Sequence, residues 1–288
     1  MKFAYIRDHR EVFDVGVMCA VFGVTPAGFY AWTSRPDSPR TVRARELAEQ
    51  IRVVHHEVKG VYGSLKITRE LHHRRLKVNR KTIARLMQRL GIRSKVVKKF
   101  RVTTTDSNHA NPVAPNTLDQ NFASAAAPNQ VWGADITCIH TDEGLLYLAG
   151  VMDLYSRRIV GWSMDDTMTT DLVERAFHAA LLSRRPALGL LHHSDRGVQY
   201  TSRRYREMLA SSGVEASMSR TGNCYDNAVV ESFWGKLKTE MVYHEHFATK
   251  AQARAAVFEY IEMFYNRKRL HAALDYLSPE AFEARRVG

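Results

Sequence analysis

The sequence predicts a mixed α/β domain, a five-stranded sheet with flanking helices, preceded by an all-helical, basic half. Three observations carry this. First, charge is split along the chain: residues 1–125 hold 23 Lys+Arg against 10 Asp+Glu, and residues 126–288 hold 19 against 20, so the whole excess behind the net +12 lies in the first half. Second, the first half shows helical periodicity, whereas from residue 131 apolar runs of strand length come in quick succession and then alternate with helical stretches. Third, three carboxylates stand in marked contexts: Asp135 in "VWGADITCIH", Asp195 closing "LLHHSD", and Glu231 in "NCYDNAVVESFWGKLKTE".

At 288 residues, 45% hydrophobic and 25% charged, the chain has room for about two domains with a real core. A basic module ahead of a near-neutral one implies a polyanion partner, and nucleic acid fits best. No long apolar helix or lipidation motif points to a membrane. Three scattered cysteines, Cys19, Cys138 and Cys224, form neither a disulfide framework nor a zinc spacing, and no signal peptide opens the chain. The expected location is cytoplasmic, at the nucleoid.

Residues 1–38 are expected to form a small helical segment, with the outline of a helix-turn-helix or, equally on pattern, of an ordinary helical hairpin. Gly23 makes the turn, and Thr25 caps the next helix with Pro26 at its first position. "SRPDSPR" is a linker. Residues 39–102 are expected to be a basic helix-turn-helix domain. Leu47, Ile51 and Val54 mark one helix, and Leu65, Ile67 and Leu71 a second. The third is capped by Asn79 and closed by Gly91, with Ile83, Leu86 and Leu90 inward. Its polar side carries Lys77, Arg80, Lys81, Arg85 and Arg89 without acids, a face suited to DNA. Lys98 and Lys99, in "KVVKKFR", extend it as a phosphate-touching arm. Residues 103–126, rich in Thr, Asn, Ala and Pro, are the linker to a domain over 127–288.

In that domain "QVWGADITCIH", "LLYLAGVMDLYS" and "RRIVGWSM" read as strands joined by short turns, an antiparallel meander. A helix over 169–184, a strand ending at Asp195, a helix closed by Gly213, the strand "VEASMS" and the Glu231 helix follow. The order β-β-β-α-β-α-β-α is that of a ribonuclease H-like domain.

An ionised Asp inside an apolar strand is costly unless paired or metal-bound, so Asp135 is the least ordinary of the three carboxylates. Two strand-positioned Asp and a helical Glu supply the hard oxygen donors of a two-metal phosphoryl-transfer site, holding two Mg2+ or Mn2+ ions. On the last helix Val230, Phe233, Leu237 and Met241 form the apolar stripe, and Lys238 lies two turns from Glu231, placed to meet DNA. Asp226 and Asn227 read as caps. Of His192 and His193, one should face the core and one the site. Asp153 reads as a turn-forming or Arg-pairing residue.

The stretches "PNQVWGADIT", "MDLYSRRIVGW", "HHSDRGVQYTS", "GNCYDNAVVESFWGKLKTE" and "YNRKRLHAALDYLSPEAFE" resemble the OrfB subunit of bacterial insertion-sequence-three family transposases, whose core is similar to that of retroviral integrases. "YGSLKITRELHHRRLKVNRKTIARLMQRLGI" is similar to that family's helix-turn-helix. The resemblance implies an Asp-Asp-Glu recombinase: Asp135, Asp195 and Glu231 as catalytic metal ligands, and Lys238 against transposon-end DNA. It also implies terminal inverted repeats and target DNA as partners, at least a dimer on two ends, and an upstream OrfA subunit or fusion. With no sustained heptad pattern at its start, the chain reads as the OrfB part alone. Rival readings are a non-catalytic DNA-binding regulator of transposition and a ribonuclease H-like nuclease.

Overall fold

The computed structural model describes residues 1–95, 111–220 and 224–287. Backbone contacts divide the chain into two units, Met1–Val54 and His55–Gly288.

The first unit contains α1 (Lys2–His9), α2 (Val15–Phe22), α3 (Pro26–Ser34) and most of α4 (Pro39–Glu57). Local chemistry sets its turns. Asp14 accepts from Val17 N, Gly23 takes φ +61° to close α2, and Thr25 Oγ1 accepts from Gly28 N with Pro26 at the first helical position. Ile6, Met18, Cys19 and Phe29 form its small core.

The second unit begins with α5 (Ser64–His73) and α6 (Arg80–Arg89), which bury Ile67, Leu71, Ile83, Leu86 and Met87. Leu65, Ile67 and Leu71 all lie on α5 as expected; Ile67, Thr68 and Leu71 are its buried residues, and Leu65 is 37% exposed. Asn79 caps α6 as expected, accepting from Lys81 N at 2.8 Å. The buried Tyr62 ties this helical pair to the chain's far end: its hydroxyl donates to Lys268 O and accepts from Leu270 N.

The sheet runs β3-β2-β1-β4-β5. β1 (Val131–Thr141), β2 (Gly144–Asp153) and β3 (Ile159–Asp165) form the expected antiparallel meander, and β4 (Leu191–Ser194) and β5 (Glu215–Met218) add in parallel. α7 (Thr170–Arg184) crosses from β3 to β4, and α8 (Val198–Thr201) and α9 (Arg203–Ser211) lead to β5. Alternation along β1 sends Trp132, Ala134 and Ile136 into a core with Phe177, Tyr205 and Leu209. α7 lies against Gly161 so closely that a Cβ there would strike the backbone of Ala176 and Ala180. The opposite face of β1, bearing Gly133 and Asp135, receives α10 (Ala228–Glu240). α11 (Lys250–Phe258), a π-helical turn at Glu259–Tyr265 and α12 (Pro279–Val287) follow. Among the described residues no single helix is long and apolar enough to cross a membrane.

Asp153 is a structural residue, as its sequence context suggested. It is fully buried, accepts from Asn129 N and Tyr155 N, and lies 3.7 Å from Arg184 Nη2. Arg184 and Arg158 both reach Glu283, which anchors α12.

Candidate active site

Three elements bring the three carboxylates to one region. Asp135 is central in β1. β4 pairs with β1 at a constant offset of sixty, Val131 with Leu191 through Gly133 with His193. Continued two residues, that register sets Asp195 beside Asp135, just beyond the end of β4. Glu231 arrives on α10, which can lie close because glycines line the strands beneath it. A Cβ on Gly133 would fall 2.7 Å from Val230, and one on Gly150 would fall 2.8 Å from Trp234. Asn227 adds a hydrogen bond to Ala134 O at 3.2 Å.

The electrostatics of Asp135 report this convergence. Its carboxyl is pushed well above the usual carboxylate range by burial first, then by the negative charge of Asp195, with Glu231 adding to it. Two hydrogen bonds oppose the shift: Ile136 N donates to Oδ1 at 2.8 Å, and the Trp234 indole donates to Oδ2 at 3.1 Å. Asp195 is half-buried and accepts from Gly197 N at 2.9 Å, while Glu231 is exposed at the rim.

This donor set suits a hard divalent cation. It is all carboxylate oxygen, and a cation would relieve the mutual repulsion that now raises Asp135. Among the described residues no three His, Cys, Asp or Glu side chains already converge on a single point. Imidazole does not join the set. His192 and His193 are each 1% exposed, so the expectation that one faces the site is corrected: His192 meets the Tyr205 hydroxyl, and both ring nitrogens of His193 meet serine hydroxyls, Ser217 and Ser219. Burial holds His192 down to about 3 and His193 down to about 4, so both stay neutral.

Asn227 holds the N-cap position of α10 as expected, but its side chain does not cap, and Asp226 is not a cap, a second correction. The Asn227 side chain makes no capping bond and binds β1 instead. Asp226 is fully buried and accepts from Arg220, Asn116 and Gln120. Those bonds, Arg220 foremost, hold its carboxyl far below the usual range against the opposing effect of burial. Asp226 thus ties the approach to α10 to the chain that precedes β1.

Lys238 is half-buried two turns past Glu231 and lines a cavity of about 280 Å³ with Cys138, His140, Tyr243 and His246. Lys77, Arg80, Lys81 and Arg85 lie remote in sequence from the carboxylates, exposed on and just before α6, with no ion pair among the described residues. Lys98 and Lys99 lie outside the described residues. Sequence reasoning passed over Trp234, Gly133 and Gly150. The available signal was a glycine two residues before an aspartate within an apolar strand.

Two Integrase core domain models match residues 125–224 and 231–287, and an HTH-like domain model matches residues 43–100. The chain is 48% identical over 265 residues to the insertion element IS600 uncharacterized 31 kDa protein of Shigella sonnei, covering 92% of this chain and 97% of that one. It is 41% identical over 285 residues to the transposase InsF for insertion sequence IS3A of Escherichia coli (strain K12), covering 98% of each. Among solved structures, the simian T-cell lymphotropic virus intasome in complex with PP2A regulatory subunit B56 gamma aligns at 14% identity over 81% of this chain and 74% of that one, with a TM-score of 0.47.

Proposed function

The chain belongs to the IS3-family insertion-sequence transposases, and from that membership we propose that it cleaves DNA at the ends of its element and joins them to a new strand. The observation that carries this reading is the placement of Asp135, with its oxygens held by Trp234 and Ile136 N, beside the strand that leads to Asp195 and beneath the helix that bears Glu231. These three would hold magnesium or manganese, in a two-ion arrangement. Bound there, the metal would supply charge stabilisation at the attacking and leaving oxygens of an in-line displacement.

The protein's own residues do the rest. Trp234 and Ile136 N hold both oxygens of Asp135, which fixes the orientation of its carboxylate. Gly197 N does the same for one oxygen of Asp195. α10 presents Glu231 at the open edge, where a phosphodiester could approach, and Lys238 farther along the same helix would take a neighbouring phosphate. The exposed Lys77, Arg80, Lys81 and Arg85 would bind DNA at a distance from the chemistry, joined by Lys98 and Lys99. Domain boundaries at 38/39, 102/103 and 126/127 belong to the same proposal, and the matched segments 43–100 and 125–224 support them. So do DNA ends and target as partners, assembly of at least two protomers, cooperation with an OrfA subunit, and a cytoplasmic, nucleoid location.

The test is Glu231→Gln in the full chain. Strand joining should fall by at least about 100-fold, beyond the loss of a mere outer-shell partner, with binding to element-end duplex unchanged. Parallel loss of binding would refute this division of labour.

A further inference from the structure

Basic side chains from four separate stretches of the second unit come near enough to act on one another around His271. Lys66 comes from α5, Arg157 from the β2–β3 turn, Lys236 from α10, and Arg269 and His271 from the segment before α12. Arg269 Nη1 lies 3.3 Å from His271 Nε2, and the His271 ring stands edge-on to Tyr265 at 4.9 Å. Lys66 Nζ sits 5.1 Å from the ring centre of Tyr62, whose hydroxyl is held by Leu270 N. His271 registers the whole group: after burial, the charges of Arg269, Lys236, Lys66 and Arg157 all push it away from protonation.

Two acids face them, and both are already committed: Asp153, which acts on Arg157, is held by Asn129 N, Tyr155 N and Arg184, and the other is Glu240. It accepts from Arg269 Nε at 2.7 Å and from the Tyr260 hydroxyl at 2.8 Å. Three cations have no carboxylate at ion-pair distance among the described residues, although the Lys236 ammonium donates to Ser232 O at 3.2 Å and to the Ser232 hydroxyl. Lys66 and Lys236 have no ion pair among the described residues, and burial, then Arg269, holds each down to about 8. Among the described residues Arg157 Nη1, of a residue at φ +62°, is buried with no hydrogen-bond partner. Desolvated like charges with an unsatisfied donor are unfavourable to folding, and an anion would satisfy them.

We propose that Lys66, Arg157 and Lys236 form a pocket for a phosphate-class anion, framed by Arg269 and His271. A guanidinium donor beside two ammonium groups suits a tetrahedral oxyanion. The group can come from a DNA backbone or from free phosphate. The DNA source rests on the transposase reading, whereas the anion site does not.

Thermal unfolding of the full chain tests it, in chloride and in inorganic phosphate at matched ionic strength. Wild type should gain roughly 5 °C in phosphate at a hundredfold excess over Kd. Lys236→Gln and Arg157→Gln should unfold no lower than wild type in chloride, because each relieves repulsion, and should lose most of the gain in phosphate. Variants equally destabilised in both buffers, or a wild type indifferent to phosphate, would overturn the site. A second arm measures duplex binding against salt concentration. A slope shallower by about one in either variant identifies a backbone phosphate as the occupant. An unchanged slope beside an intact phosphate response assigns the pocket to free phosphate and overturns the DNA source.

Discussion

The Trp234 indole donates to Asp135 Oδ2 at 3.1 Å from a ring that rests on Gly150, the residue paired with Asp135 across β1 and β2. One side chain thus joins the packing of α10 onto the sheet to the orientation of the β1 carboxylate. Glu231 lies three residues before Trp234, so the same contact fixes where Glu231 emerges.

Trp234→Phe keeps most of the packing and removes the donor. We expect strand joining to fall about 10- to 100-fold and the magnesium needed for half-maximal activity to rise, as for loss of an outer-shell partner. A metal titration of activity checks this. Unchanged magnesium dependence would show that the indole serves packing alone.

Gly133→Ala places a methyl 2.7 Å from Val230 Cγ2. Overpacking of this kind costs about 1–3 kcal/mol. Adding Val230→Ala should restore part of the loss, giving a favourable interaction energy in a double-mutant cycle read by denaturant unfolding. Strict additivity would mean that α10 does not bear on Gly133.

Acid should destabilise the protein through its buried histidines. His192 is fully enclosed against Tyr205 and Phe177 and is held down to about 3, by burial first and His193 second. Its folded value lies below the unfolded one, near 6.5. The unfolded chain therefore takes up a proton first, and stability present above pH 6.5 is lost as pH falls toward 3, at up to about 1.4 kcal/mol per pH unit. His192→Gln should flatten that part of the stability–pH curve, and a curve parallel to wild type would contradict the assignment.

The meander, the crossover helices and the three carboxylates were legible in sequence for local reasons. Apolar alternation marks strands, Asn79 and Thr25 mark helix starts, and a charged residue in an apolar run is conspicuous. What escaped depends on contacts between distant residues. Tyr62 looks like any aromatic near a turn until Leu270, 208 residues on, supplies its hydrogen bond. Asp226 resembles a cap because it precedes a helix, yet Asn116 and Gln120 claim its oxygens. The histidine pair was misread because strand alternation was taken to expose one face of β4, whereas both faces of that interior strand are covered.

The most direct test of the central claim is a strand cleavage and joining assay on labelled DNA bearing the element's own ends, in magnesium or manganese, with wild type beside Asp135→Asn. The account predicts joined products from wild type alone, with both proteins binding the DNA equally. Joined products from Asp135→Asn at the wild-type rate would contradict it.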